Sequence, residues 1–83
     1  MKKGVFKAKT ETGIIVDIVA TREEIEVRTR AGVQLVPGLI ELFCTDFGCH
    51  VNADESDPTR SRFTLVFPPL KVVRLEDSPF PEI

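Results

Sequence analysis

The chain has 83 residues, 42% hydrophobic and 29% charged, with a formal net charge of −2. A chain this short makes one small domain, burying roughly 60–65% of the surface its unfolded form exposes, which leaves room for one core and one site. The composition excludes strongly disordered classes, and nothing in the charge balance points to a polyanion-binding protein.

The start, MKKGVFKAKTETG, carries the lysines of a signal peptide but lacks the apolar run of about 7–15 residues that would follow them. The longest apolar run, GIIVDIVA, is interrupted by Asp17 and falls far short of the roughly 18 residues needed to span a bilayer. A cytoplasmic location is expected, with no membrane association and both cysteines as free thiols.

Val, Ile, Phe and Thr together supply 29 residues and Ala only four, a balance that suits pleated strands better than helices. Six runs stand out in chain order: VFKAKT, IIVDIVA, IEVRT, VQLV, RFTLVF and LKVVRL. A three-residue loop Glu11-Thr12-Gly13, with Gly13 left-handed, sets Ala8 against Val16, Lys7 against Asp17 and Phe6 against Ile18. A turn at TREE then sets Ala20 against Ile25 and Ile18 against Val27. A second glycine-ended loop, Arg30-Ala31-Gly32, sets Val27 against Leu35 and Arg28 against Gln34. The resulting four-stranded meander has an inner face of Phe6, Ala8, Val16, Ile18, Ile25, Val27, Val33 and Leu35. Its outer face carries a row Lys7, Asp17, Arg28, Gln34. TREE also matches a helix capping box, but the apolar positions after it keep period two, which favours strands.

Beyond Pro37-Gly38 the pattern allows two strands or one short helix around residues 39–47, with strands preferred. Asn52 to Arg62 is polar and reads as a mobile loop, and Pro68-Pro69 implies a bend or a sheet edge. The expected fold is therefore mainly β: a small antiparallel barrel or sandwich opening with a four-stranded meander. It forms one domain over residues 1–76, followed by a loose tail over 77–83.

The stretch ELFCTDFGCH holds both cysteines and the only histidine. Cys44, Cys49 and His50, with Asp46 as a further oxygen, are weak metal candidates, because structural zinc sites use two closely spaced ligand pairs and only one pair is present. A four-residue loop, Thr45 to Gly48, would put Cys44 opposite Cys49. A three-residue loop, Asp46-Phe47-Gly48, matches the other glycine-ended loops and is preferred; it puts Cys44 beside His50 and the two cysteines on opposite faces. A Cys44–His50 nucleophile lacks an orienting group and an oxyanion site, so no catalytic residue is assigned. No cofactor is expected.

On the outer face, Val5, Val19 and Val36 form a second row, with Ile15 on the same side. Apolar residues where water is expected imply a cover, either later strands of the chain or a partner. The function expected is a small non-catalytic interaction module that self-associates or binds another protein. The alternative is a nucleic-acid-binding barrel with a basic stripe of Lys7, Lys9, Arg28, Arg30, Arg60 and Arg62, the last two its candidate contacts; Asp17 opposite Arg28, the neighbouring Glu23, Glu24 and Glu26, and the absence of Trp and Tyr oppose it. A metal- or thiol-dependent activity at the cysteine hairpin comes third.

Overall fold

In the first hairpin, Gly13 takes φ 91°, the left-handed conformation that closes the loop Glu11-Thr12-Gly13. The flanking strands, β1 (Lys2–Thr10) and β2 (Ile15–Thr29), pair antiparallel with Phe6 opposite Ile18, Lys7 opposite Asp17 and Ala8 opposite Val16. This register is the one expected, and in it alternate residues point to one side. The computed structural model, which describes all residues Met1–Ile83, continues with β3 (Gly32–Cys44), β4 (Cys49–Ala53), β5 (Arg62–Leu65) and β6 (Lys71–Arg74), and it contains no helix. Residues 39–47 are accordingly the end of β3 and a turn.

Each strand pairs with the next, and β6 returns to β1 through Ala8–Arg74, Lys9–Val73 and Thr10–Val72, closing a six-stranded antiparallel barrel. Closure removes the exposed edges an open sheet would leave. The interior holds Phe6, Ala8, Val16, Ile18, Ala20, Leu42, Cys44, Val51, Phe63, Leu65 and Val72. Phe6 and Phe63 lie 5.2 Å apart, ring centre to ring centre, and anchor this core.

The tail is read from sequence as loose, yet Phe80 and Ile83 pack against the core. The Phe80 ring lies 5.3 Å from Phe6 and is stacked 6.3 Å from Phe63. Gly4 permits the approach, because a Cβ there would stand 2.2 Å from the Cβ of Pro81. The tail is fastened further by the Lys7 amide donating to Ser78 Oγ at 2.8 Å.

Two register expectations are overturned, and one irregularity is added that the sequence reading does not anticipate. TREE is neither a turn nor a helix start: β2 runs unbroken through it, since the segment has none of the Gly, Pro, Asn or Asp residues that favour a reversal. The next turn is Arg30-Ala31, with Thr29 opposite Gly32 and Arg28 opposite Val33. Finally, the register shifts between Arg22–Ile40 and Glu24–Pro37, where Gly38 and Leu39 oppose the single residue Glu23 in a bulge. Gly38 suits that bulge, because a Cβ on it would lie 2.8 Å from the Glu23 carbonyl oxygen.

These changes remove half of the expected core. Ile25, Val27, Val33 and Leu35 lie beyond the barrel on a two-stranded ribbon formed by the far parts of β2 and β3. Val33 is 62% and Leu35 60% exposed. The ribbon accounts for the elongated outline of 53 × 23 × 21 Å.

Candidate functional site

The cysteine hairpin closes with a four-residue loop, Thr45 to Gly48, and Gly48 takes φ 64°. Cys44 therefore faces Cys49, and the expectation that Cys44 sits beside His50 is corrected. The glycine occupies the fourth loop position, so a left-handed residue alone did not fix the loop length. His50 pairs instead with Phe43 across β3 and β4, its ring edge-on to the phenyl at 5.6 Å. Both cysteines are free thiols.

Cys44 points into the core and is fully buried, while Cys49 is half-buried. Burial raises the Cys44 thiol pKa, against a smaller opposing effect from hydrogen bonds with the Phe47 and Asp46 backbone. Asp46 is also committed elsewhere, accepting the Asp17 amide on Oδ2 at 2.6 Å. Cys44 and Cys49 share one side of the hairpin and His50 points to the other, so the proposed ligands do not converge. A buried, protonated thiol is also a poor nucleophile.

On the barrel exterior, Val5 opposes Val19, Val19 opposes Phe43 and Phe43 opposes His50. Val36 does not belong to this row. It pairs with Ile25 on the ribbon, because the bulge and the unbroken β2 carry it away from the barrel. Val5 and Ile15 are exposed and Val19 is half-buried. Lys7 Nζ donates to Asp17 Oδ1 at 2.8 Å, the ion pair expected; Arg28 is remote from it, on the ribbon.

The loop from Asp54 to Ser61 is tied down by short polar contacts. Asp57 accepts from the Thr59 amide and hydroxyl, the Ser61 amide and hydroxyl, and the Arg62 amide. These donors hold its carboxyl far below the usual carboxylate range, those of Thr59 most of all. Arg74 donates to the carbonyls of Arg60, Thr59 and Ser78, which joins the loop to the tail. Arg60 has φ 52° and its guanidinium lies 5.0 Å over the Phe80 ring. Arg62 borders an open hollow of about 840 Å³ at the barrel end, which Lys9 and Lys71 share with Glu11, Asp54 and Glu55. The two arginines thus have separate settings, one packed on an aromatic ring and the other among both signs of charge.

The ribbon exposes Ile25, Val27, Val33 and Leu35 together, and the sequence reading does not anticipate it as a unit. Along it Ile25 pairs with Val36 and Val27 with Gln34 on one face; Glu26 pairs with Leu35 and Arg28 with Val33 on the other. The bulge shifts β3 by one residue relative to β2, so the apolar sets of the two strands emerge on opposite faces. No other strand pairs with this part of the molecule. The sequence signal for it is the lack of Gly, Pro, Asn or Asp between Ile18 and Thr29, together with a Pro-Gly pair at the place of the bulge.

Comparison with protein-family models, with curated proteins and with solved structures finds no match.

Proposed function

We propose that the protein is a small non-catalytic interaction module that self-associates through the ribbon of β2 and β3. One observation carries this reading: the ribbon projects from a closed barrel with apolar side chains on both faces and no third strand beside it. A two-stranded hairpin is marginally stable by itself in water, and three or more strands with a covered apolar face are normally needed. Exposed apolar patches of this kind mark contact surfaces. Val5, Ile15, Val19 and Phe43 extend an apolar strip along the barrel exterior and add to the area a partner can cover.

The setting that fits is cytoplasmic. No helix is long and apolar enough to cross a membrane, and a reducing compartment keeps two opposed cysteines as thiols.

Amide hydrogen exchange measured at increasing protein concentration tests the reading. Self-association through the ribbon predicts that residues 23–37 exchange rapidly in dilute solution and become protected as concentration rises, while barrel amides change little. Exchange that is independent of concentration, or protection gained only on the barrel, would contradict it.

A further inference from the structure

The ribbon has two free edges of different character. On the β3 side the edge contains Pro37, which has no N–H to donate, followed by the Gly38 bulge; both features discourage the addition of a strand. On the β2 side, β1 pairs only as far as Lys2 with Arg22. From Glu23 to the turn at Arg30-Ala31, β2 has β3 on one side and no strand on the other.

This uncovered stretch reads EEIEVRTRA. Its acidic residues, Glu23, Glu24 and Glu26, all precede Val27, and its basic residues, Arg28 and Arg30, all follow it. Val27 is also its midpoint. Within one chain these charges do little for one another: Arg28 Nε approaches Glu26 Oε1 only to 4.0 Å, and the two side chains are 87% and 56% exposed.

We infer that a second copy of this chain adds to the β2 edge, antiparallel and two-fold symmetric about Val27, so that two ribbons merge into one four-stranded sheet. The inference deepens the self-association reading and rests on it. In this register Val27 meets Val27 of the second copy, Glu26 meets Arg28, and Glu24 meets Arg30. The two-fold repeats each ion pair, giving four pairs of opposite charge and no like charges opposed. A two-fold contact is self-complementary by construction, and a strand that is acidic before its midpoint and basic after it meets that condition only when antiparallel. A two-fold normal to the sheet moves the register in steps of two residues, because paired residues must share a face. Centring on Glu26 sets Glu26 against its own copy, and centring on Arg28 sets two guanidiniums together. Centring on Ile25 opposes Glu24 to Glu26. Each is penalised, since like charges directly opposed across strands are destabilising. The overlap also fits the available edge, as the second copy's turn arrives at Glu23, just before β1 begins to cover β2.

Charge exchange with the full-length chain, read by sedimentation velocity, tests the arrangement. Glu26→Arg sets arginine against Arg28 at both symmetric places, and Arg28→Glu sets glutamate against Glu26. Each single variant is expected to weaken self-association about tenfold or more. The double variant Glu26→Arg/Arg28→Glu restores opposite charges and is expected to associate like the original chain. An equimolar mixture of the two single variants is expected to form a heterodimer about as tightly as the original chain self-associates, although each variant alone associates weakly. Circular dichroism checks that the variants fold, and both positions are exposed on the ribbon. If the unaltered chain associates and the single variants associate equally well, self-association stands and the β2 edge is the wrong place. If the single variants dissociate but neither the double variant nor the mixture recovers, the register is overturned. A chain that stays monomeric at every concentration overturns this inference and the reading beneath it together.

Discussion

Asp57 and Cys44 each add a pH dependence to the stability of the fold, in opposite directions. The Asp57 carboxylate accepts five hydrogen bonds, which lower its pKa in the folded state. A group with a depressed folded pKa contributes stability that is fully present above its unfolded value, near 4, and is lost as pH falls toward the folded one. Asp57→Asn is therefore expected to lower the unfolding midpoint at neutral pH by several degrees. The gap from the unaltered chain should narrow steadily as both are titrated from about pH 5 downward; a gap that is constant with pH would contradict the assignment. Cys44 behaves in reverse. Burial raises its pKa, so folding favours the protonated thiol. Its contribution is complete below the unfolded value of about 8.5 and declines as pH rises beyond it. At neutral pH a disulfide reagent is expected to modify Cys49 readily and Cys44 only on unfolding. Equal reaction rates in the folded protein would show that Cys44 is not enclosed as described.

At the scale of the element, the barrel depends on its aromatic centre and on two glycines that allow close approach. Phe63→Ala removes a ring that is 2% exposed and contacts both Phe6 and Phe80, and it is expected to cost about 3–5 kcal/mol in denaturant unfolding. Gly38→Ala is expected to disturb the bulge against the Glu23 carbonyl, raising hydrogen exchange in the ribbon while the barrel core stays protected. The β1–β2 register was legible because Gly13 marks the turn and strict alternation leaves one pairing consistent with both faces. The same reasoning failed at TREE. There the expected turn divides what is one strand of 15 residues, although TREE offers no Gly, Pro, Asn or Asp to reverse the chain. Pro37-Gly38 has the composition of a turn and serves instead as a bulge, a distinction that depends on β2 lying alongside. The loop after Cys44 illustrates a related ambiguity, since Gly48 is left-handed in either loop length and only the pairing of Cys44 with Cys49 decides. The role of Phe80 was hidden for a different reason. The space it fills exists only once Phe6 and Phe63, far apart in sequence, have come together.

Over the whole molecule, two parts of unequal stability are joined through shared strands. The closed barrel satisfies its backbone and buries its apolar face, with Phe80 and Ile83 packed against the core. The ribbon pairs its two strands only with each other and leaves apolar side chains exposed, and that apolar surface and unpaired β2 edge are what a binding element requires. The elongated outline of 53 × 23 × 21 Å follows from this division. Sedimentation equilibrium over a wide range of concentration decides whether the ribbon joins two chains. The mass is expected to rise with concentration from that of the 9.3 kDa chain toward twice that value. A single species at the mass of one chain throughout, at concentrations where the ribbon remains folded, would contradict it.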